Sequence, residues 1–174
     1  AGRRFTRLSL LTLIGTGFVF STWYFRFYQL PFLGPTILFI TLAWLIFLIA
    51  PTLRSLISRQ ANTGSSESVL AALNAAAYFG LSYHLLVALY EPYLGFFFVI
   101  GAAVYLALGM LLAAVNPADR SNLLALSGVG LVLATVAIPV QLTGQWITIA
   151  WAVEGLILTI VGFRLASEHL RAFS

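Results

Sequence analysis

The sequence predicts an all-α protein, a polytopic membrane helix bundle of six transmembrane helices arranged as three consecutive helical hairpins, with both termini in the cytoplasm. Of the 174 residues, 61% are hydrophobic and only 8% are charged, and the mean hydropathy is +1.00. In soluble domains about a quarter of the residues are charged. The charged surface of a water-soluble globule is therefore missing, and a bilayer is the expected solvent.

Six apolar runs each have close to the roughly 20 residues that a helix needs to cross about 30 Å of hydrocarbon. These runs are residues 8–25, 30–50, 69–90, 94–115, 123–142 and 146–165. A β-barrel, the other structure that can span a bilayer, needs alternating apolar and polar residues. Runs such as 96–100 do not alternate, so helices are predicted. The six runs leave no room for a separate soluble domain, and residues 1–174 are expected to form a single transmembrane domain.

Proline and glycine mark the chain reversals between these runs, as they do in many turns. The reversals contain residues 31–35, 91–93, 116–119 and 143–145. Residues 52–67 contain the sequence Ala-Asn-Thr-Gly-Ser-Ser and are expected to form a flexible cytoplasmic loop. Residues 166–174 are expected to form a short interfacial tail.

The first run is the weakest candidate span because it contains four hydroxyl side chains. These are Thr12, Thr16, Ser21 and Thr22. Arginines precede this run, but no small-residue cleavage site follows it, so a cleavable signal peptide is not predicted. An alternative with five spans leaves this run out of the membrane. Alternate spans then change side, and the arginine pattern is broken.

The distribution of arginine sets the expected orientation. The chain has nine arginines, no lysine and five acidic residues, which gives a net charge of +4. Arginine accumulates in short cytoplasmic loops. If six helices are drawn, all arginines but Arg26 fall on one side. The others are Arg3, Arg4, Arg7, Arg54, Arg59, Arg120, Arg164 and Arg171. The opposite side carries a belt of aromatic residues typical of a membrane interface, namely Trp23, Tyr24, Tyr28, Tyr90, Tyr93 and Trp146.

Two ionisable residues lie well inside predicted spans, and such residues are costly in hydrocarbon. Glu154 is about 10 Å and His84 about 9 Å from the outer edge, at the rise of a helix. Because the depths match, the two side chains are expected to meet, with Arg26 or Tyr83 nearby. The pair has two interpretations, a proton relay or solute-binding pair and a buried hydrogen-bonded clamp between helices. Absence of any contact between them is the third possibility.

Other polar and small residues predict local structure within the spans. Pro139 cannot donate a hydrogen bond to the carbonyl of Thr135, so a kink is expected there. Either the helix simply bends, or the freed carbonyl and the amide of Gln141 line a polar pocket. Asn74 is expected to donate a hydrogen bond between helices. Close helix packing is expected at small-residue pairs, Gly109 with Ala113 and Gly130 with Ala134.

Several classes of chemistry are excluded or unsupported by the residue content. The absence of cysteine excludes disulfides, thiolate catalysis and cysteine-ligated zinc or iron–sulfur sites. There is no glycine-rich phosphate loop and no metal-ligating cluster of acidic or histidine residues. We therefore expect no catalytic residues, no metal and no cofactor, with a single axial bond from His84 to a haem or pigment as the alternative. The basic charge reports topology, so no nucleic acid is expected as a partner.

The C-terminal half carries a recognisable pattern. Residues 139–146 read Pro-x-Gln-x-x-Gly-x-Trp, residues 150–154 read Ala-Trp-Ala-x-Glu, and residues 74–80 read Asn-Ala-Ala-Ala-Tyr-Phe-Gly. This pattern resembles a multi-pass bacterial membrane family, the domain of unknown function 2339, over roughly residues 70–171. The resemblance implies a helical membrane architecture and no defined activity. Members of that family are usually longer, and this chain lacks an initiator methionine, so a fragment, a processed subunit or a short member is expected.

The expected function is that of a non-enzymatic accessory, scaffold or assembly subunit of a complex in the bacterial inner membrane. Its expected partners are membrane lipids and other membrane protein subunits. The alternative is a transporter or channel-like protein that moves protons or a small solute past Glu154, His84, Gln141 and Asn74. That alternative requires a hydrated cavity. A membrane enzyme acting on lipid is the third hypothesis, and no acid–base pair is suitably spaced for it.

Overall fold

The computed structural model describes residues 2–58, 65–142, 147–157 and 159–160, and every regular element in these ranges is helical. Five long helices account for most of them. They are α1 (Gly2–Phe27), α2 (Leu33–Ser58), α3 (Ser65–Tyr90), α4 (Leu94–Val115) and α5 (Arg120–Gln141). Short 3-10 turns at Leu30–Phe32 and Glu91–Tyr93 precede α2 and α4. A further apolar helix, α6 (Ile147–Ile157), follows α5.

Four stretches, not the six expected, are long and apolar enough to cross a membrane in the part of the chain that the structure describes. They are Leu8–Phe27, Leu30–Ile57, Ser68–Val115 and Arg120–Gln141. The third stretch has 48 residues and contains both α3 and α4. It is continuous because the turn at Glu91–Tyr93 is itself helical. The described part of α6 is shorter than a full span. The prediction of an all-helical membrane bundle is therefore confirmed, but the count of six is not.

The expected loop at residues 52–67 is wrong at both of its ends. Helix α2 continues through Pro51 to Ser58, and α3 already begins at Ser65. Although Pro51 lacks an N–H group, the apolar sequence continues beyond it, and Thr52 donates a hydrogen bond to the carbonyl of Leu48 at 2.8 Å. Residues 59–64, and the expected tail at 166–174, lie outside the described residues.

The helices do not pack as three consecutive hairpins. The most extensive contact joins α4 to α5, while α5 also packs on α3, α3 on α2, and α1 on α3. Small residues explain the close approach of α4 and α5. A Cβ added at Gly130 would lie 2.8 Å from Cγ of Leu106, and one added at Gly109 would lie 3.3 Å from Oγ of Ser127. These glycines allow a close approach between α4 and α5, which belong to two different hairpins in the predicted arrangement.

The core lies between α2, α3, α4 and α5, and α1 is peripheral. Tyr105 and Leu112 of α4 and Leu126 of α5 are essentially inaccessible. By contrast, only 6% of the apolar stretch of α1 is buried. Its main anchor is Phe20, which stacks on Phe39 of α2 with ring centroids 6.0 Å apart. The bundle is therefore built on the last four of the five long helices.

The two ends of the bundle differ in charge. At one end, Asn116 of the α4–α5 turn donates to the carbonyl of Ser55 in α2 at 3.1 Å, and Ser68 of α3 donates to the carbonyl of Ser121 in α5 at 3.1 Å. Arg54 and Arg120 adjoin these contacts in the sequence, and we call this the arginine end. Arg26 lies at the opposite end, where α1 finishes. This arrangement agrees with the arginine pattern of the sequence.

The first prediction concerns the contact between α3 and α4. A Cβ added at Gly101 would overlap the ring of Phe79, so Gly101→Ala should destabilise the protein by about 1–3 kcal/mol through overpacking. Thermal unfolding of the purified protein in detergent measures this change. The matched control is Gly15→Ala, where an added Cβ meets no heavy atom within 4 Å. Equal unfolding temperatures for the two variants would contradict the close approach at Gly101.

Candidate functional site

Glu154 lies on α6, half-buried, and its partner is on α5. Its Oε1 accepts a hydrogen bond from Oγ1 of Thr135 at 2.6 Å. The same hydroxyl lies 3.1 Å from the carbonyl oxygen of Leu131. Thr135 is also the residue whose carbonyl Pro139 cannot reach with an N–H. The carboxyl group of Glu154 thus ties α6 to the turn of α5 that precedes the proline.

His84 lies on an exposed face of α3 against α1. Its ring meets that of Tyr24 edge-on, with centroids 6.3 Å apart, and Tyr24 stacks on Tyr28 at 4.7 Å. Tyr28 lies outside the helices. The pKa of its phenol is raised above the ordinary value, mainly because burial desolvates it and to a smaller extent because of the charge of Tyr24.

The structure does not bring Glu154 and His84 together, since each has a different partner and no hydrogen bond joins them among the described residues. Arg26 and Tyr83, expected nearby, also have separate neighbours. The guanidinium of Arg26 lies 5.9 Å from the ring of Phe27, and Tyr83 meets Phe98. Matched positions along the predicted spans do not specify the face of the helix on which each residue lies.

Gln141 closes the end of α5 rather than lining a polar pocket. The helix remains continuous through Pro139 and ends at Gln141. The side-chain amide of Gln141 donates to the carbonyl of Pro92 at 3.2 Å, and Gly95 leaves the space that its side chain occupies. The amide therefore joins α5 to the turn between α3 and α4. Gln145 lies outside the described residues.

Asn74 belongs to a buried cluster that links α2, α3 and α4, which we call the Trp44 cluster. Asn74 is 3% exposed, and its side-chain amide donates to the carbonyl of Trp44 at 3.1 Å. The indole of Trp44 stacks on Tyr78 at 4.6 Å and donates from Nε1 to the hydroxyl of Tyr105 at 3.0 Å. The hydroxyl of Tyr78 lies 3.1 Å from Oγ1 of Thr41.

A second buried group, the Asp119 network, lies at the arginine end and is absent from the residues predicted from the sequence. Asp119 is 2% exposed and caps α5, where its Oδ1 accepts from the backbone N–H of Asn122 at 3.2 Å. Its Oδ2 accepts from the hydroxyl of Ser55. The amide of Asn116 donates to the carbonyl of Ser55 at 3.1 Å and approaches its hydroxyl at 3.2 Å. An aspartate directly before an apolar helix is a capping signal that could have identified this group.

The described cavities are lined mainly by apolar side chains. The largest, about 780 Å³, lies between α3 and α5 and has Ser68 and Tyr83 as its only polar lining residues. A smaller cavity of about 220 Å³ touches Trp44, Asn74 and Tyr78, but the amide of Asn74 already has a partner. No group of three or more histidine or acidic residues that could hold a metal occurs in the described ranges. Asn74, Glu154 and Gln141 therefore each form a hydrogen bond that joins two parts of the bundle.

The second prediction tests the Asp119 network. Asp119→Ala removes the cap of α5 and leaves Ser55 without its acceptor, which should lower stability by about 1–3 kcal/mol. The free energy of unfolding in detergent is the measurement. Glu91→Ala is the matched control because Glu91 is exposed in a turn, and it should have little effect. A loss for Asp119→Ala no greater than that for Glu91→Ala would show that the network does not stabilise the bundle.

Comparison with known proteins adds one match. A family model described as "Predicted membrane protein (DUF2339)" matches residues 1–174. The resemblance seen at residues 70–171 is thereby confirmed and extended to the N-terminal helices. No curated protein and no solved structure matches the chain.

Proposed function

Because the chain belongs to the DUF2339 family of predicted membrane proteins, we propose that it is a non-enzymatic accessory or scaffold subunit of a complex in the bacterial inner membrane. In this proposal the helices pack against one another within the chain and against helices of neighbouring subunits. Membrane lipids and other membrane protein subunits are its partners.

The proposal includes six crossings with both termini in the cytoplasm. Helices α3 and α4 have 26 and 22 residues, and each exceeds the roughly 20 residues that one crossing needs. The stretch Ser68–Val115 is therefore counted as two crossings. The apolar helix α6 supplies the sixth, continued by the apolar sequence up to residue 165. Arg54 and Arg120 at one end and Arg26 at the other support the cytoplasmic placement of the arginine end.

A single observation carries the scaffold proposal, which is that three polar side chains of the predicted site form hydrogen bonds to other parts of the bundle. Asn74 bonds α2, Glu154 bonds α5, and Gln141 bonds the α3–α4 turn. In a transporter, such groups line a cavity at the level of the bilayer. In this chain the three side chains form hydrogen bonds within the bundle, and the described cavities are largely apolar. A role in moving protons or solutes is therefore disfavoured.

The exposed surface of α1 is also consistent with a subunit that contacts neighbours in the membrane. Its large apolar side chains point away from the bundle, with Phe18 74% and Phe25 86% exposed. The hydroxyls of Thr12 and Thr22 donate to the carbonyls of Leu8 and Phe18, four residues earlier. An apolar helix that buries little of itself is covered by lipid or by helices of other proteins.

The third prediction tests the scaffold against the transporter. Glu154→Gln preserves an acceptor for Thr135, so the variant should assemble as the parent protein does. Native membranes are solubilised in mild detergent, and the mass of the particle that contains the protein is measured for both forms. Reconstituted vesicles report proton flux in parallel, and Glu91→Gln serves as the matched control.

We expect both forms to occur in the same particle, larger than the monomer, and neither to conduct protons above empty vesicles. A monomer with no retained partner would contradict the scaffold role. Proton flux that Glu154→Gln abolishes and Glu91→Gln preserves would establish the transporter instead.

A further inference from the structure

The largest of the cavities described above is an open groove between α3 and α5, which we call the α3–α5 groove. It has a volume of about 780 Å³ and runs along α3 from Ser68 to Tyr83, a distance of about 22 Å at the rise of a helix. Its lining includes small residues, such as Ala76 and Gly80 of α3 and Gly128 of α5. Leu124 on its rim is 73% exposed. The groove is therefore long, apolar and accessible from the side of the bundle.

We propose that the α3–α5 groove binds an anionic phospholipid, with the acyl chains along the groove and the headgroup at Arg120. This inference rests on the membrane location of the chain and is independent of whether it serves as a scaffold.

The apolar lining of the groove indicates that the part of the ligand inside it is also apolar. Apart from Ser68 and Tyr83, which lie at the two ends of the lining on α3, the side chains that line the groove are aliphatic, aromatic or absent. A lining of this kind offers no hydrogen bond to a polar solute, but it contacts methylene groups along its length. Lipid chains are also the apolar molecules present at highest concentration in the surroundings of the protein.

The position of Arg120 indicates that the headgroup of the ligand is negatively charged. Arg120 precedes Leu124 by four residues, so both lie on the same face of α5. The hydrogen bond from Ser68 to the carbonyl of Ser121, at 3.1 Å, brings the starts of α3 and α5 together at this point. Arg120 therefore lies beside the end of the groove that Ser68 lines, at the arginine end.

A cation, Arg120, adjoins this end of the groove. Arg120 is exposed, and it makes no ion pair with another described side chain. Asp119, its neighbour in sequence, is buried and accepts from Ser55 and Asn122. Basic residues next to grooves between membrane helices attract anionic headgroups. The combination of an apolar groove with a cation at one end fits the two parts of an anionic lipid.

The experiment measures lipid binding by native mass spectrometry of the purified full chain in detergent. Dioleoyl phosphatidylglycerol and dioleoyl phosphatidylcholine are titrated separately, so that the acyl chains are the same and only the headgroup charge differs. We expect the anionic lipid to bind about fivefold more tightly, since one arginine near the membrane surface contributes about that factor.

Two pairs of variants assign the binding to the groove. Arg120→Gln should abolish the preference for the anionic lipid, whereas Arg26→Gln, a neutralised arginine at the opposite end, should preserve it. Gly128→Leu should fill the groove and reduce the binding of both lipids at least tenfold. Gly15→Leu is its control, because an added Cβ meets no heavy atom within 4 Å at either glycine. If Gly128→Leu does not fold, Gly80→Leu, which is equally open, replaces it.

Three results would overturn the proposal. Equal affinity for the two lipids would remove the role of Arg120. Unchanged lipid binding in the folded Gly128→Leu and Gly80→Leu variants would place the lipid elsewhere on the surface. A dimer of the chain that Gly128→Leu dissociates would show that a second copy occupies the groove.

Discussion

The constraint on which the rest of this structure depends is that hydrocarbon offers no hydrogen-bonding partner. A polar side chain buried in a spanning helix costs free energy unless it finds a hydrogen-bond partner on the protein itself. The Trp44 cluster meets this requirement at the centre of the bundle, because one indole pairs with Tyr105 of α4 and stacks on Tyr78 of α3. Apolar burial against lipid gives little net driving force between helices, so such joints decide which helices meet.

The same constraint acts at the two ends of the bundle. At the arginine end, the carboxyl group of Asp119 caps α5 and reaches Ser55 of α2. At the opposite end, Gln141 bonds to the turn between α3 and α4. Between these fixed ends, glycines allow α4 and α5 to approach closely. The proposed scaffold function rests on this distribution, in which Asn74, Glu154 and Gln141 each have a hydrogen-bond partner within the bundle.

Sequence reasoning identified what depends on local composition. The apolar runs correspond to helices, and Asn74 is an interhelical donor. Gly109 and Gly130 lie where helices meet closely. Each of these follows from one residue type in an apolar setting, which a single chain displays directly.

Sequence reasoning failed where the outcome depends on direction or on distant neighbours. Depth along a helix matched Glu154 with His84, but their faces point to α5 and α1. The second predicted run ends at residue 50, although the apolar pattern beyond Pro51 keeps α2 helical to Ser58. The role of Asp119 depends on Ser55, 64 residues away, and no local pattern predicts that partner.

The central claim is that helices α2, α3 and α4 each cross the bilayer and that the arginine end faces the cytoplasm. Because the chain contains no cysteine, single cysteines at the exposed positions Gln29, Glu91 and Ala118 test it by labelling with a membrane-impermeant maleimide. The account predicts that cysteines at 29 and 91 react in intact spheroplasts and that a cysteine at 118 reacts only after permeabilisation. Reaction of all three from the same side would contradict it.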